Sequence, residues 1–347
     1  MAYRSDFDEY KLLGEPEKAE KSEIWQTAIG LQQVDGLTPS EYLIETAKQN
    51  IEGEITFYEV QERLNGYYKA KPVQAAADRT EEADKVSARI AEILSEKTFS
   101  FSPAIHRRLF VGIYKFAGKI RDYNISKDEW VLNGETVYYA SADSIRATLD
   151  YDFEQEKTFE FQGLSKEQIV AHIAKFVSGI WQIHAFGEGN TRTTAVFAIK
   201  YLRTIGFTVT NDLFADHSWY FRNALVRANY NDYKASIYAT FEYLDHFFGN
   251  LLLGENTPLK NRDLRISSNK TDVPINVPIS VPINVPIKRK DEIIKQLFIN
   301  PNLTVEELAT IFSVADKTIK RDFVSLKSEG RIKRVGSNKA GHWEIIE

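Results

Sequence analysis

His184-Ala185-Phe186-Gly187-Glu188-Gly189-Asn190-Thr191-Arg192 joins two helical stretches, and the reading of this loop decides the rest of the chain. Upstream, Ser165-Lys166-Glu167-Gln168 has the form of a capping box, and Ile169, Val170, Ile173, Phe176, Val177, Ile180 and Trp181 follow at helical spacing. A buried helix is therefore expected to run into His184. A second long helix is expected to open near Thr191, with Asn190 as its cap. The first N–H groups of that helix lack an internal partner and lie at the positive end of its dipole, which makes the loop an anion site. Gly187 and Gly189 let backbone approach a phosphate, and Arg192 offers a forked pair of donors. Glu188 would repel a phosphate unless a cation such as Mg²⁺ lies between them. His184 suits general-base work, and Phe186 is the expected apolar anchor of the loop. Base, anion hole, metal ligand and phosphate clamp together point to phosphoryl or nucleotidyl transfer.

Working outward, residues 1–24 are polar and charged, and residues 25–70 read as short helices. Thr38 is the expected cap of one, with Pro39 in its first turn and Leu43, Ile44, Ala47 and Ile51 facing inward; Gly53 ends it and Thr56 opens the next, with Val60 and Leu64 inward. Between 80 and 120 two more stripes appear: Val86, Ile90, Ile93 and Leu94, then Ile105, Leu109, Val111, Ile113 and Phe116. Residues 123–140 alternate and carry Asn133-Gly134, which predicts a β-hairpin with Trp130–Leu132 before the turn and Thr136–Tyr139 after it. Residues 217–253 give one or two more helices.

Val-Pro-Ile-Asn and its variants repeat through residues 273–287, and proline at every fourth position forbids a helix. The predicted division is 1–70, an N-terminal helical segment; 71–255, the core with the loop; 256–288, a linker; and 289–347, a C-terminal domain. That last part reads as a winged helix: helices over 291–298, 308–312 and 316–328, then a hairpin from Ile332–Val335 and the residues after His342. Lys317, Thr318, Lys320 and Arg321 lie near the start of its third helix, where a recognition helix meets the major groove. From Lys288 onward there are 12 Lys and Arg against 9 Asp and Glu, and elsewhere 32 against 40, so a basic unit is joined to an acidic body.

Cysteine is absent, which excludes disulfides, thiolate metal sites and a cysteine nucleophile and fits a cytoplasmic protein. No apolar run approaches the roughly 18 residues of a membrane span, so no membrane partner is expected. His106, His172, His217, His246 and His342 show no zinc-ligand spacing with acids.

The loop resembles the Fic motif, His-Pro-Phe-x-(Asp/Glu)-Gly-Asn-Gly-Arg-x-x-Arg, at His184, Phe186, Glu188, Gly189, Asn190 and Arg192. Phe116–Lys127 and the hairpin are similar to the family's target-docking flap, and Phe221–Asn229 to the helix that borders the adenine, with Asn229 at a matching position. The resemblance implies a mainly α fold, a Fic-type helical bundle with a β-hairpin flap, followed here by the α+β winged helix. It also implies a protein adenylyltransferase that moves AMP from ATP to a Ser, Thr or Tyr hydroxyl of a target protein and of itself. His184 would be the base, Glu188 the Mg²⁺ ligand, and Phe186, Gly187, Gly189, Asn190, Thr191, Arg192 and Asn229 the nucleotide and phosphate contacts. The target would dock on residues 123–140, and DNA on 289–347. A homodimer is left open. Three positions depart from the motif: Ala185 for Pro, Thr191 for Gly and Ala195 for the last Arg. Leu31–Gly36 resembles the family's inhibitory element with Asp35 in place of its Glu, so residues 1–70 are expected to form an antitoxin-like segment. Kinase-type or other phosphoryl transfer, removal of AMP, and a nucleotide-sensing DNA-binding regulator without transferase activity stay open at this point.

Overall fold

The structure is a computed structural model, which describes residues 7–10, 15–70, 79–97, 102–207, 209, 212–266, 290, 293–294, 296–297, 303–312, 316–328, 330–335 and 342–346. It divides into two units, Met1–Lys270 and Thr271–Glu347.

The first unit is helical. Helix α1 (Pro16–Gly30) runs into a 3₁₀ turn (Leu31–Asp35), and α2 (Glu41–Ile51), α3 (Phe57–Ala70), α4 (Thr80–Ser95) and α5 (Ser102–Phe110) follow. Ser40, and not Thr38, caps α2: its hydroxyl oxygen accepts from the Leu43 amide at 3.2 Å. Leu43, Ile44, Ala47 and Ile51 are buried as the stripe requires, as are Val60 and Leu64 in α3. Helix α5 stops at Phe110, so Val111, read as part of an inward stripe, is exposed. Helix α6 (Ile145–Lys157) packs on α7 (Lys166–Ile183), α7 on α8 (Asn190–Thr204), and α9 (Asp212–Ala228) on α1, α7 and α10 (Glu242–Leu253). The capping box at the start of α7 forms in both directions, Gln168 N to Ser165 Oγ and Ser165 N to Gln168 Oε1.

The N-terminal helix shares one core with the rest of the unit. Trp25, Ala28 and Ile29 are buried, and Gly30 meets the backbone of Ala215 so closely that a Cβ would lie 2.5 Å from its carbonyl oxygen. Trp25 Nε1 is satisfied inside that core by Asn50 Oδ1 at 3.0 Å.

The expected hairpin does not form: residues 123–140 contain no strand. Asn133 and Gly134 make the tight turn with positive φ, and Glu129 and Glu135 face each other across it. Trp130–Leu132, however, closes into a 3₁₀ turn. Val131 and Leu132 are both fully buried, and two consecutive inward residues break the alternation a strand needs. This segment is called the flap below. The region assigned to the linker begins as part of the first unit: Asn261–Leu264 forms a helical turn, α11, Leu264 is buried, and the Ile266 amide donates to the Val131 carbonyl at 2.9 Å. The Val-Pro-Ile-Asn repeat lies outside the described residues.

In the second unit α12 (Val305–Ile311) and α13 (Asp316–Ser328) pack together, and β1 (Ile332–Val335) pairs antiparallel with β2 (His342–Ile345), Ile332 opposite Ile345. Thr304 and Glu307 form a capping box for α12. Ile293, Leu297, Leu308, Phe312, Ile319, Phe323, Leu326, Ile332 and Trp343 make its core. This is the winged-helix pattern of a small helical layer with a two-stranded wing.

Candidate active site

Helix α7 ends at His184, whose φ of 49° and ψ of 56° place a non-glycine residue in the left-handed region. Such backbone is costly, and it persists where the surroundings over-determine it. Arg121 does so here. Its Nε donates to the His184 carbonyl at 2.8 Å, and its other nitrogens reach the carbonyls of Tyr123, Ala140 and Ile183. A buried cation thus satisfies the last carbonyls of α7 and ties them to the flap.

The His184 ring is buried beside Tyr139, with ring centroids 4.1 Å apart. Nδ1 lies 3.3 Å from the Trp181 carbonyl oxygen. A carbonyl can only accept, so Nδ1 carries the proton and Nε2 presents its lone pair. Nε2 is buried and has no hydrogen-bond partner among the described residues. His184 lines a narrow recess shared with Glu129, Asn190 and Thr191. Burial, then the Lys127 charge, and also Arg121 and Arg222, push its pKa well below the usual histidine value; the Trp181 carbonyl opposes them.

The loop is pinned from below. Phe186 is buried and stacks on His106 with centroids 3.8 Å apart. His106 Nδ1 accepts from the Gly118 amide at 2.8 Å, so its Nε2 carries the proton and donates to the Glu188 carbonyl at 3.0 Å. Burial pushes this ring down to about 4, which keeps it neutral. Asn190 is not the cap of α8; Gly189 holds that position, at a φ of 77°. The Asn190 amide instead bonds Phe186 twice, accepting from its N–H at 3.0 Å and donating to its carbonyl at 2.7 Å, which closes the loop. Thr191 accepts from Trp181 Nε1 at 3.0 Å, joining the two helices. Gly189 is required by its positive φ and by buried Phe110, whereas Gly187 faces only the end of the exposed Tyr123 side chain. A Cβ on Gly189 would meet the Phe110 ring at 2.4 Å, and one on Gly187 the Tyr123 hydroxyl at 2.5 Å.

The recess opens into a cleft of about 570 Å³, and Asp35, Lys127, Glu188 and Arg222 line both parts. Arg79 and Trp219 complete much of the wider wall. Arg222 lies 2.7 Å from buried Glu129 and over the Trp219 ring. Burial raises the Glu129 pKa, opposed by Arg222 and by the hydrogen bond from the Tyr139 hydroxyl.

Arg192 is fully buried and does not present a free fork to the cleft. Its Nε lies 2.7 Å from Asp35 Oδ2, an ion pair out of line for a hydrogen bond. Its other nitrogens donate to Gln32 Oε1 at 3.0 Å, Glu82 Oε1 at 2.7 Å and the Tyr114 hydroxyl at 3.2 Å. The 3₁₀ turn that carries Gln32 and Asp35 packs on α8 and α9, which brings the N-terminal segment onto the motif arginine. Asn229 lies apart from the recess and cleft linings; its amide donates to Ser178 Oγ at 2.8 Å and to the Leu225 carbonyl.

Residues 99–202 match the model of the Fic/DOC family, and residues 289–336 that of a DeoR-like helix-turn-helix domain. Residues 99–202 are a Fic/DOC domain. The chain is 27% identical over 108 residues to protein adenylyltransferase VbhT of Bartonella schoenbuchensis, a match that spans 31% of this chain and 21% of that protein. Among solved structures it is similar to a Fic family protein from Desulfovibrio desulfuricans (12% identity, TM-score 0.41, 99% of this chain and 93% of the other). It is also similar to the BepC protein of Bartonella tribocorum with bound AMPPNP (18% identity, TM-score 0.36, 56% and 86%).

Within the Fic/DOC domain, Ala195 is fully buried where the motif has its second arginine. Glu188, expected to hold Mg²⁺, is held by Lys127, whose ammonium lies 3.1 and 3.0 Å from its two oxygens; the Gly189 amide also donates to one of them. Burial pushes the Glu188 carboxyl up, but Lys127 and that amide outweigh it and the pKa falls. Mg²⁺ needs a near-octahedral shell of oxygens and gives up water reluctantly. Mg²⁺ is commonly held by one carboxylate with substrate phosphates and waters, but both oxygens of this carboxylate are already bridged by the Lys127 ammonium, and among the described residues no group of three or more His, Asp or Glu stands in for it. Arg121, His106, Lys127, Glu82 and Tyr139 were not singled out from the sequence for any role at the site. Each reaches the motif from a distant element, and no local pattern marks that.

Proposed function

We propose that the Fic/DOC domain transfers AMP from ATP to a Ser, Thr or Tyr hydroxyl of a protein, its own chain included, with His184 as general base. The observation that carries this reading is the His184 ring itself: Nδ1 is committed to the Trp181 carbonyl, Nε2 is a buried acceptor without a partner among the described residues, and the residue lines the recess. In the reaction Nε2 takes the hydroxyl proton, the hydroxyl oxygen bonds to the α-phosphorus, and the bond from that phosphorus to the β-phosphate bridge breaks, releasing pyrophosphate. The amides at the start of α8 face the anionic centre with the positive end of the helix dipole. Asn190 holds the loop in that shape. A relative named as a protein adenylyltransferase supports the same chemistry. Incubation with ATP labelled on the α- or the γ-phosphate tests it: label from the α-phosphate is expected on protein, and label from the γ-phosphate alone contradicts AMP transfer and favours a kinase.

The Asp35–Arg192 pair is read as inhibitory, because it holds the motif arginine away from phosphate. Asp35→Ala is expected to raise labelling. Deleting residues 1–70 is a poorer test, because α1 is part of the core. The target is proposed to dock on the flap, where Tyr123, Trp130 and Tyr138 are exposed. The second unit is proposed to bind DNA through α13: Lys317, Lys320 and Arg321 are exposed on it and Thr318 is half-buried.

A further inference from the structure

We propose that the Lys127 ammonium, in place of a resident divalent cation, is the charge that joins Glu188 to the phosphates of the bound nucleotide. The proposal rests on reading the cleft as a nucleotide site.

Three observations carry it. Lys127 Nζ bridges both Glu188 oxygens at 3.0 and 3.1 Å, the place a cation shared between that carboxylate and a phosphate would take. An ammonium has three donors, and the third has no protein acceptor among the described residues. Second, Lys127 is built into the flap and not left on a loose tip. Its amide donates to Thr136 Oγ1 at 3.0 Å, and its side chain is only 25% exposed. It lines both the recess that His184 also lines and the wider cleft. Third, the other cations of the site are committed. Arg192 is enclosed by Asp35, Glu82 and Gln32; Arg222 faces Glu129; Arg79 is bound to Glu82; and position 195 is a buried alanine. A divalent ion at Glu188 would have to displace Lys127 or share the carboxylate with it, and the other carboxylates of the recess and cleft, Asp35 and Glu129, already face Arg192 and Arg222. With Lys127 in place, Glu188 needs no metal to coexist with a phosphate.

The test is equilibrium binding of ATP to the full chain, in Mg²⁺ and in EDTA, for the native protein, Lys127→Met and Lys127→Arg. Binding reads the site without requiring turnover. The native protein and Lys127→Arg are expected to change affinity by less than about tenfold when Mg²⁺ is withdrawn. Lys127→Met is expected to bind about tenfold or more weakly in EDTA, the loss of one charge-assisted contact, and to recover in Mg²⁺ once Glu188 is free. Native protein that binds in Mg²⁺ but loses about tenfold or more in EDTA overturns the proposal and leaves the nucleotide site standing; so does Lys127→Met that binds as native in EDTA. No ATP binding under either condition overturns the proposal and the nucleotide reading together.

Discussion

The His184 ring is kept neutral by burial and by three neighbouring cations, with no acid holding its Nδ1. The consequence is a pH profile. A depressed pKa leaves Nε2 deprotonated at neutral pH, and activity is lost only as pH falls through that lowered value. The acid limb of kcat/KM is therefore expected below the ordinary histidine value of about 6.5. A limb at or above 6.5 contradicts the burial account. Lys127→Met removes the second-largest contributor to that shift and is expected to move the limb upward. Asp35→Asn breaks the charge pair on Arg192 with little change of shape, and is expected to raise the rate of label incorporation; an unchanged rate contradicts an inhibitory role for that pair. The loop proposed to carry the chemistry was legible because its residues are consecutive in sequence. Their partners were not: Gln32 and Glu82, from distant helical elements, occupy Arg192, and a flap lysine occupies Glu188. The pattern that marks a clamp and a metal ligand says nothing of what already holds them.

At the scale of elements, the loop 184–192 is a turn fixed from both sides. Gly189→Ala would combine a left-handed backbone with a clash on Phe110, and is expected to cost about 2 kcal/mol or more, seen as a lower Tm. His106 links α5 to the loop in its neutral form. Its pKa is about 4 when folded and near 6.5 when unfolded, so the unfolded chain binds the extra proton between those values. Stability is full above pH 6.5 and falls as pH drops toward 4, by about 2 kcal/mol between pH 7 and pH 5 from this group. Chemical denaturation at the two pH values, for the native protein and His106→Gln, isolates it; an equal loss in the variant contradicts the assignment. The helices were legible through their apolar stripes and caps, such as Ser165 with Gln168. The flap was misread because Asn133-Gly134 does make its turn, while the apolar pair Val131 and Leu132 is drawn into the core and curls the chain before a strand can form. The caps Thr38 and Asn190 failed for a related reason. Each lies one or two residues from a better-placed competitor, Ser40 behind Pro39 and Gly189 with its positive φ, and sequence spacing does not fix boundaries to that precision.

At the scale of the molecule, two units with separate cores are joined in one chain. The first is expected to fold alone, so a chain ending at Lys270 should melt cooperatively and still incorporate label; failure of that fragment to fold contradicts two independent cores. If α13 binds DNA, Lys320→Ala and Arg321→Ala should each flatten the salt dependence of binding by about one phosphate contact. The division into an acidic body and a basic tail was legible in the charge alone, whereas the membership of residues 261–266 in the first core depends on Leu264 and the Ile266 amide finding the flap. The central claim, that His184 is the base of an AMP transfer, is most directly tested by incubating native protein and His184→Ala with ATP labelled on the α-phosphate. Native protein is expected to become labelled, and the variant to bind ATP with native affinity yet lose labelling by about 10²-fold or more. Undiminished labelling in the folded variant would contradict the account.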